Sequence, residues 1–319
     1  MDRPQLVTVF GGSGFVGTQL VQLLARAGYR IRVAVRRPDL AGHVKPLGSV
    51  GQVVPIQANL RNRDSVAAAV RGADVVVNLA ATGIEKGKQR FSAINALGAR
   101  NVAEAAAAAG VPRLMQMSVI GASETSPSLS ANSRAVGEAE VRRAFPQAII
   151  FRASIIFGPG DDFFNMLGNL SRLLPVLPLI GGKTKFQPVY VGDVAEALAA
   201  AVEGNVAPGS TCELGGPEVL THRELVERVL RYANRHNPLL PLPEGVGTLL
   251  SLPMLMMPKP LLTPDRVTLL TIDNVVSTEA VAEQRTLEGL GITPRPLDAV
   301  LPGYLWRFSS NGQFDRQTA

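Results

Sequence analysis

Three glycines, Gly11, Gly14 and Gly17, follow the apolar run from Leu6 to Phe10 and carry the clearest chemical signal in the chain. Residues without side chains let backbone N–H groups approach an anion, and a helix start adds free donors and partial positive charge. The turn Gly11-Gly12-Ser13-Gly14-Phe15-Val16-Gly17 is therefore expected to hold a pyrophosphate. Arg36 and Arg37 follow a second apolar strand, Ile31 to Val35, where a dinucleotide-binding unit usually has an acid for the ribose 2′-OH. A guanidinium fork matches phosphate bidentately, so this pair predicts a 2′-phosphate and hence NADPH rather than NADH. Asp161 and Asp162 could divide acid and base roles. Neighbours on a chain usually point apart, which favours a loop or helix-start role for them. His43, His222 and His236 have no metal-ligand spacing, so they are read as surface or cap residues and no metal is expected.

The elements that must position these groups alternate in type. A helix from Phe15, with Leu20, Leu23 and Leu24 on one face and Gly28 as its stop, follows the first strand. Val53 to Gln57 is a third strand that runs into Asn59-Leu60. A helix from Asp64 to Val70 precedes a fourth strand, Val75 to Leu79, which opens into Leu79-Ala80-Ala81. Small side chains there would let a dinucleotide lie close. Phe91 to Ala109 reads as an alanine-rich helix with Ile94, Leu97 and Val102 inward, and Asn95 as an exposed polar residue unless it has a site role. Arg113 to Ser118 and Ala148 to Arg152 complete six strands. The pattern predicts an α/β fold, a doubly wound parallel Rossmann sheet with a smaller C-terminal α/β lobe. The expected division is a dinucleotide-binding domain over 1–157, to which later segments return, a lobe over 158–308 and a polar tail over 309–319. Within the lobe side, Asp193 is expected to cap a helix, Tyr190 to pack in the core, and Thr221 with Glu224 to form a capping box.

Composition bounds the function. The chain has 319 residues, 46% of them hydrophobic, enough for a sizeable core. A single cysteine, Cys212, excludes an internal disulfide framework and reads as a small buried residue. A net charge of +6 without interleaved aromatics argues against nucleic acid as a partner. The first residues, MDRPQL, lack the apolar core of a secretion signal, so the expected location is the cytosol or a surface facing it. The stretch Leu249 to Leu261 is too short, and too broken by Pro253, Pro258, Lys259 and Pro260, to span a bilayer. Its Leu249, Leu250, Leu252, Met254, Leu255, Met256 and Met257 suit either core or an interface with a partner protein or membrane surface.

The glycine spacing, Asn59-Leu60 and the stretch SLSANSRAVGEAEV resemble short-chain dehydrogenases of the extended and atypical classes. In that family a Tyr moves the carbonyl proton, a Lys four residues on holds the nicotinamide ribose, and a Ser ends the fifth strand. Ser118 matches the serine. Alignment on Ala135, Gly137 and Glu138 places Ser130 at the tyrosine position and Arg134 at the lysine position. A serine hydroxyl is too weak an acid to replace the phenol, and arginine does not lose its proton near neutrality. Ser118 and Arg134 could still contact a cofactor. Gly158-Pro159-Gly160 with Asp161 is similar to the family's element beside the nicotinamide.

The C-terminal third is more specific. Asp265, Leu270, Asp273-Asn274-Val275-Val276, Leu290-Gly291-Ile292, Pro302, Tyr304-Leu305 and the final GQF resemble the nucleotide-binding accessory subunit of respiratory complex I, alpha subcomplex subunit nine. That resemblance implies a peripheral subunit near the quinone-side junction of the hydrophilic and membrane arms, holding NADPH as a structural element. It further implies other complex I subunits as partners and a place on the cytoplasmic face of a bacterial inner membrane. Two other readings stay open from sequence. One is an active NADPH-dependent reductase or isomerase acting on a small carbonyl or isoprenoid. The other is a module that senses the NADPH redox state and docks a transient partner.

Overall fold

The structure, a computed structural model, describes residues 5–257 and 260–309. Pro258 and Lys259 of the apolar stretch, and the tail from 310 with its GQF, lie outside the described residues. Two compact units emerge. Among the described residues, the first comprises 5–153, 191–214 and 277–293; the second comprises 154–190, 215–257, 260–276 and 294–309.

The first unit is built on a parallel sheet. Its strands are β1 (Leu6–Phe10), β2 (Arg30–Val35), β3 (Val53–Gln57), β4 (Val75–Asn78), β5 (Arg113–Val119), β6 (Ile149–Ala153) and a seventh, Thr211–Leu214. Their order is the seventh strand, β6, β5, β4, β1, β2, β3. The strand order reverses between β1 and β4, the place where doubly wound sheets bind ligands beyond their carboxyl ends. Six strands were expected from sequence. The seventh, TCEL, is four residues long and contains a glutamate, so periodicity alone does not mark it. Cys212 on it is buried, as expected.

Helix α1 (Phe15–Arg26) buries Leu20, Val21 and Leu24, each contributing roughly 1.5–3 kcal/mol. Helix α2 (Arg63–Val70) is capped by Asn62, whose side chain accepts from Ser65 N at 2.8 Å. The stretch expected as one helix from Phe91 divides into a π turn at Ser92–Ala96 and α3 (Leu97–Ala108). The wider turn rotates the following residues, so Leu97 faces out at 45% exposure rather than inward, while Ile94 and Val102 are buried. Helix α4 (Leu129–Ala144) packs on this π turn. A Cβ at Gly137 would lie 2.2 Å from the carbonyl oxygen of Asn95.

The second unit holds a core of Phe157, Phe164, Leu167, Leu225, Leu301 and Leu305 among others. Its helix His222–Tyr232 begins with the expected capping box of Thr221 and Glu224. His222 is a correction to the sequence reading. It is buried among Phe163 and Phe186, its Nδ1 lies 2.7 Å from the Ile180 carbonyl oxygen, and burial lowers its pKa. Back in the first unit, Asp193 sits inside the first turn of the helix Val191–Glu203 rather than before it.

Candidate functional site

The switch point holds a cleft of about 430 Å³ lined by Phe10, Gly11, Ser13, Gly14, Ala34 to Arg37, Leu40, Ala58 to Leu60, Leu79 to Ala81, Gln89 and Ile94. Ten residues expected at a cofactor site meet here: Gly11, Ser13, Gly14, Arg36, Arg37, Asn59, Leu60, Leu79, Ala80 and Ala81. Gly12, Phe15, Val16 and Gly17 are not among the lining residues; the last three open helix α1. Ser118 and Arg134 are not among the lining residues.

The glycine turn is tight for identifiable reasons. Gly11 has φ +76°, and a Cβ there would stand 3.0 Å from Ala80 N. At Gly17 a Cβ would come within 2.4 Å of the Gly11 carbonyl oxygen, so only glycine lets α1 seat on the turn. No side chain caps the start of α1 at Gly14. An uncapped helix start of this kind leaves N–H donors for an anion, which fits a pyrophosphate. His43, read from sequence as a surface residue, places Nε2 3.2 Å from the Ser13 carbonyl oxygen and so donates to it. This bond ties the segment after β2 to the glycine turn.

The opposite wall is set by a buried amide pair. Asn78 Nδ2 donates to Gln116 Oε1 at 2.8 Å, and Asn78 Oδ1 accepts from Ala80 N at 3.2 Å, fixing the Leu79-Ala80-Ala81 loop. Asn95 is buried rather than an exposed polar residue. Its side chain accepts from Thr82 N at 2.9 Å and donates to the Thr82 carbonyl at 3.2 Å and Ser133 Oγ at 3.0 Å. Asn59 turns its amide oxygen to Arg61 N at 3.2 Å.

The two arginines differ. Arg36 makes no hydrogen bond or ion pair among the described residues. Arg37 is forked onto Asp39, with Nε 3.1 Å and 3.2 Å from the two carboxylate oxygens and Nη2 2.7 Å from Oδ2. That hydrogen bond raises the arginine pKa and lowers that of the aspartate, although both side chains are solvent-exposed.

The proton-transfer positions of the dehydrogenase resemblance are occupied differently. Ser118 donates to the buried Glu138, which takes Arg152 in a bidentate pair at 2.7–3.2 Å. Arg152 also lies 3.8 Å from Glu213, and its pKa is raised, first by the bond to Glu138. Ser130 is buried and Arg134 half-buried on α4. This stretch holds three strands and a helix together and offers neither a phenol nor an amine.

In the second unit, Asp161 lies one residue before the N-cap Asp162 of the helix Phe163–Leu173 and takes its first donors, accepting from Phe164 N at 2.6 Å and Asn165 N at 3.2 Å. Tyr304 OH donates to its other oxygen at 2.5 Å. Burial raises the Asp161 carboxyl pKa and the hydrogen bonds oppose that rise. Burial and the carboxylate together raise the Tyr304 phenol. Asp161 is therefore engaged as a latch, and Asp162 does not share its role. The motif Asp273-Asn274-Val275-Val276 clasps the segment 185–187. Asp273 Oδ1 accepts from Lys185 N at 2.8 Å, Asn274 exchanges backbone bonds there, and Val276 N donates to Gln187 Oε1 at 3.0 Å.

Comparison with known proteins agrees with this geometry. Residues 7–215 match the NAD dependent epimerase/dehydratase family. An Arabidopsis thaliana protein named NADH dehydrogenase [ubiquinone] 1 alpha subcomplex subunit 9, mitochondrial, is 35% identical over 96% of this chain and 79% of its own. The chain belongs to the alpha subcomplex subunit 9 family. This family member is also 35% identical to a ceramide reductase of Caulobacter vibrioides, over 62% of this chain and 61% of that one. A UDP-glucose 4-epimerase from Thermus thermophilus, solved with NAD, shares the fold at a TM-score of 0.68 and 21% identity, covering 95% of this chain and 99% of the other.

Proposed function

We propose that this chain is a non-catalytic accessory subunit of respiratory complex I that holds NADPH and stabilises the junction of the hydrophilic and membrane arms. One observation carries the reading: a complete dinucleotide cleft stands beside an α4 that bears Ser130 and Arg134 in place of tyrosine and lysine, with Ser118 engaged by Glu138. The nucleotide is bound through the glycine turn, Arg36, Arg37 and the Leu79-Ala80-Ala81 loop, and nothing nearby moves a proton to a carbonyl. The relationship to the alpha subcomplex subunit 9 proteins supports complex I as the host.

The partners are other complex I subunits near the quinone-binding region, on the cytoplasmic face of the inner membrane. Among the described residues no helix is long and apolar enough to cross a membrane. The helix Glu244–Ser251 and the turn after it instead expose Leu249, Leu250, Leu252, Leu255, Met256 (at 92%) and Met257. Apolar residues clustered in this way mark a surface covered in an assembly.

The test is native purification followed by identification of the released nucleotide. Near-stoichiometric NADPH in a fraction that also contains complex I subunits is expected. A ceramide-reductase relative favours a second reading, an NADPH-dependent reductase. Turnover at an enzyme-like rate with NADPH and a panel of ketones, long-chain ketones included, would establish that reading and overturn the first. Release of the chain from the complex on oxidation of the nucleotide would favour a redox-sensing module instead.

A further inference from the structure

The preference for a 2′-phosphate is usually ascribed to the arginines that would grip it. Here one of the two is already gripped. Arg37 lines the cleft, yet its guanidinium presents the Nε and Nη2 edge to Asp39, the same edge a phosphate would take bidentately. Arg36, on the same rim, has no such partner among the described residues. Asp39 lies two residues beyond Arg37 and outside the cleft lining, so its carboxylate acts on the site through Arg37 and through its own charge.

We propose that Asp39 sets the degree of NADPH preference at this site by competing with the 2′-phosphate for Arg37. The inference rests on the NADPH reading above. Both members of the pair are exposed, with side-chain accessibilities of 67% and 58%, so the bond is weak and a dianionic phosphate can displace it. Displacement leaves the aspartate charge close to the phosphate, a repulsion that a nucleotide with a plain 2′-OH does not meet. Asp39 thus lowers affinity for the phosphorylated nucleotide selectively. Arg36 supplies the uncontested cation, and Arg37 a contested one.

The test is calorimetric titration of the full chain, stripped of nucleotide, with NADPH and with NADH. Asp39→Asn keeps the side chain's shape and removes its charge. It is expected to tighten NADPH about two- to fivefold, the scale of one exposed charge pair, and to change NADH by less than about twofold. With Arg37→Ala as the background, Asp39→Asn is expected to give a smaller gain, because only the lost charge repulsion then remains. Glu104→Gln, which removes an equal charge from an exposed acid paired with Arg63 away from the cleft lining, is expected to change neither nucleotide. Unchanged or weakened NADPH binding in Asp39→Asn, equal tightening of both nucleotides, or the same gain from Glu104→Gln would each overturn the inference. Wild-type protein that binds neither nucleotide would defeat the NADPH reading and this inference with it. Wild-type binding with an inert Asp39→Asn would defeat the inference alone.

Discussion

At the scale of single residues, the contact between Tyr304 and Asp161 explains two motifs that the sequence presents separately. The carboxylate starts a helix and receives the phenol of a residue 143 positions away, and both are buried. Tyr304→Phe removes a hydrogen bond to a charged group, for which a loss of about 1.5–3 kcal/mol is expected at neutral pH. The pH dependence follows from the raised carboxyl pKa. A raised folded value means the stability tied to this group is complete below the unfolded value of 3.8 and falls as pH rises through the folded one. Without the phenol the carboxylate is less supported and its pKa rises further. The variant's deficit is therefore greatest at neutral pH and shrinks as the carboxyl protonates in acid. Urea denaturation of both proteins at several pH values checks this, and a deficit independent of pH would contradict it.

At the scale of elements, the strand–turn–helix start was fully legible because glycines break an apolar run at fixed intervals. Gly17 shows why the spacing matters: its missing Cβ is the space in which α1 meets the turn. Gly17→Ala is expected to cost about 1–3 kcal/mol through overpacking and to weaken nucleotide binding together with stability. A melting curve and an NADPH titration on the same sample test both. The π turn at Ser92–Ala96 was not legible, since an inserted residue leaves composition and local propensity unchanged while rotating everything after it. Leu97 was misplaced for that reason. Asn95 was left open between a site role and an exposed polar residue, because nothing in an alanine-rich helix announces that Thr82 and Ser133 would enclose it. Asn95→Ala leaves Thr82 N and its carbonyl without their side-chain partner, and a loss of about 1–3 kcal/mol is expected in chemical denaturation. His222 was misread through its place at a helix start, where burial by Phe163 and Phe186 could not be inferred from neighbours in sequence.

At the scale of the whole molecule, a ligand that binds only the folded first unit adds to its stability by mass action. At a thousandfold excess over its dissociation constant, NADPH held as proposed would contribute about 4 kcal/mol. Removing the nucleotide by extensive dialysis is expected to lower the melting temperature, and NADPH is expected to restore it more fully than NADH at equal concentration. Equal rescue by both would remove the case for a 2′-phosphate site. The doubly wound parallel sheet was foreseeable from six alternating strands. That later segments return to the first unit was expected, but which ones, 191–214 and 277–293, was not, because long-range strand pairing leaves no local trace.

That return gives the chain a chronology. Every residue lining the nucleotide cleft is made by position 94, whereas the strand Thr211–Leu214 gains its hydrogen bond from Ser277 N to Glu213 only when synthesis has passed that serine. A ribosome-bound chain thus carries the whole lining of the cleft long before its sheet is finished at the far edge.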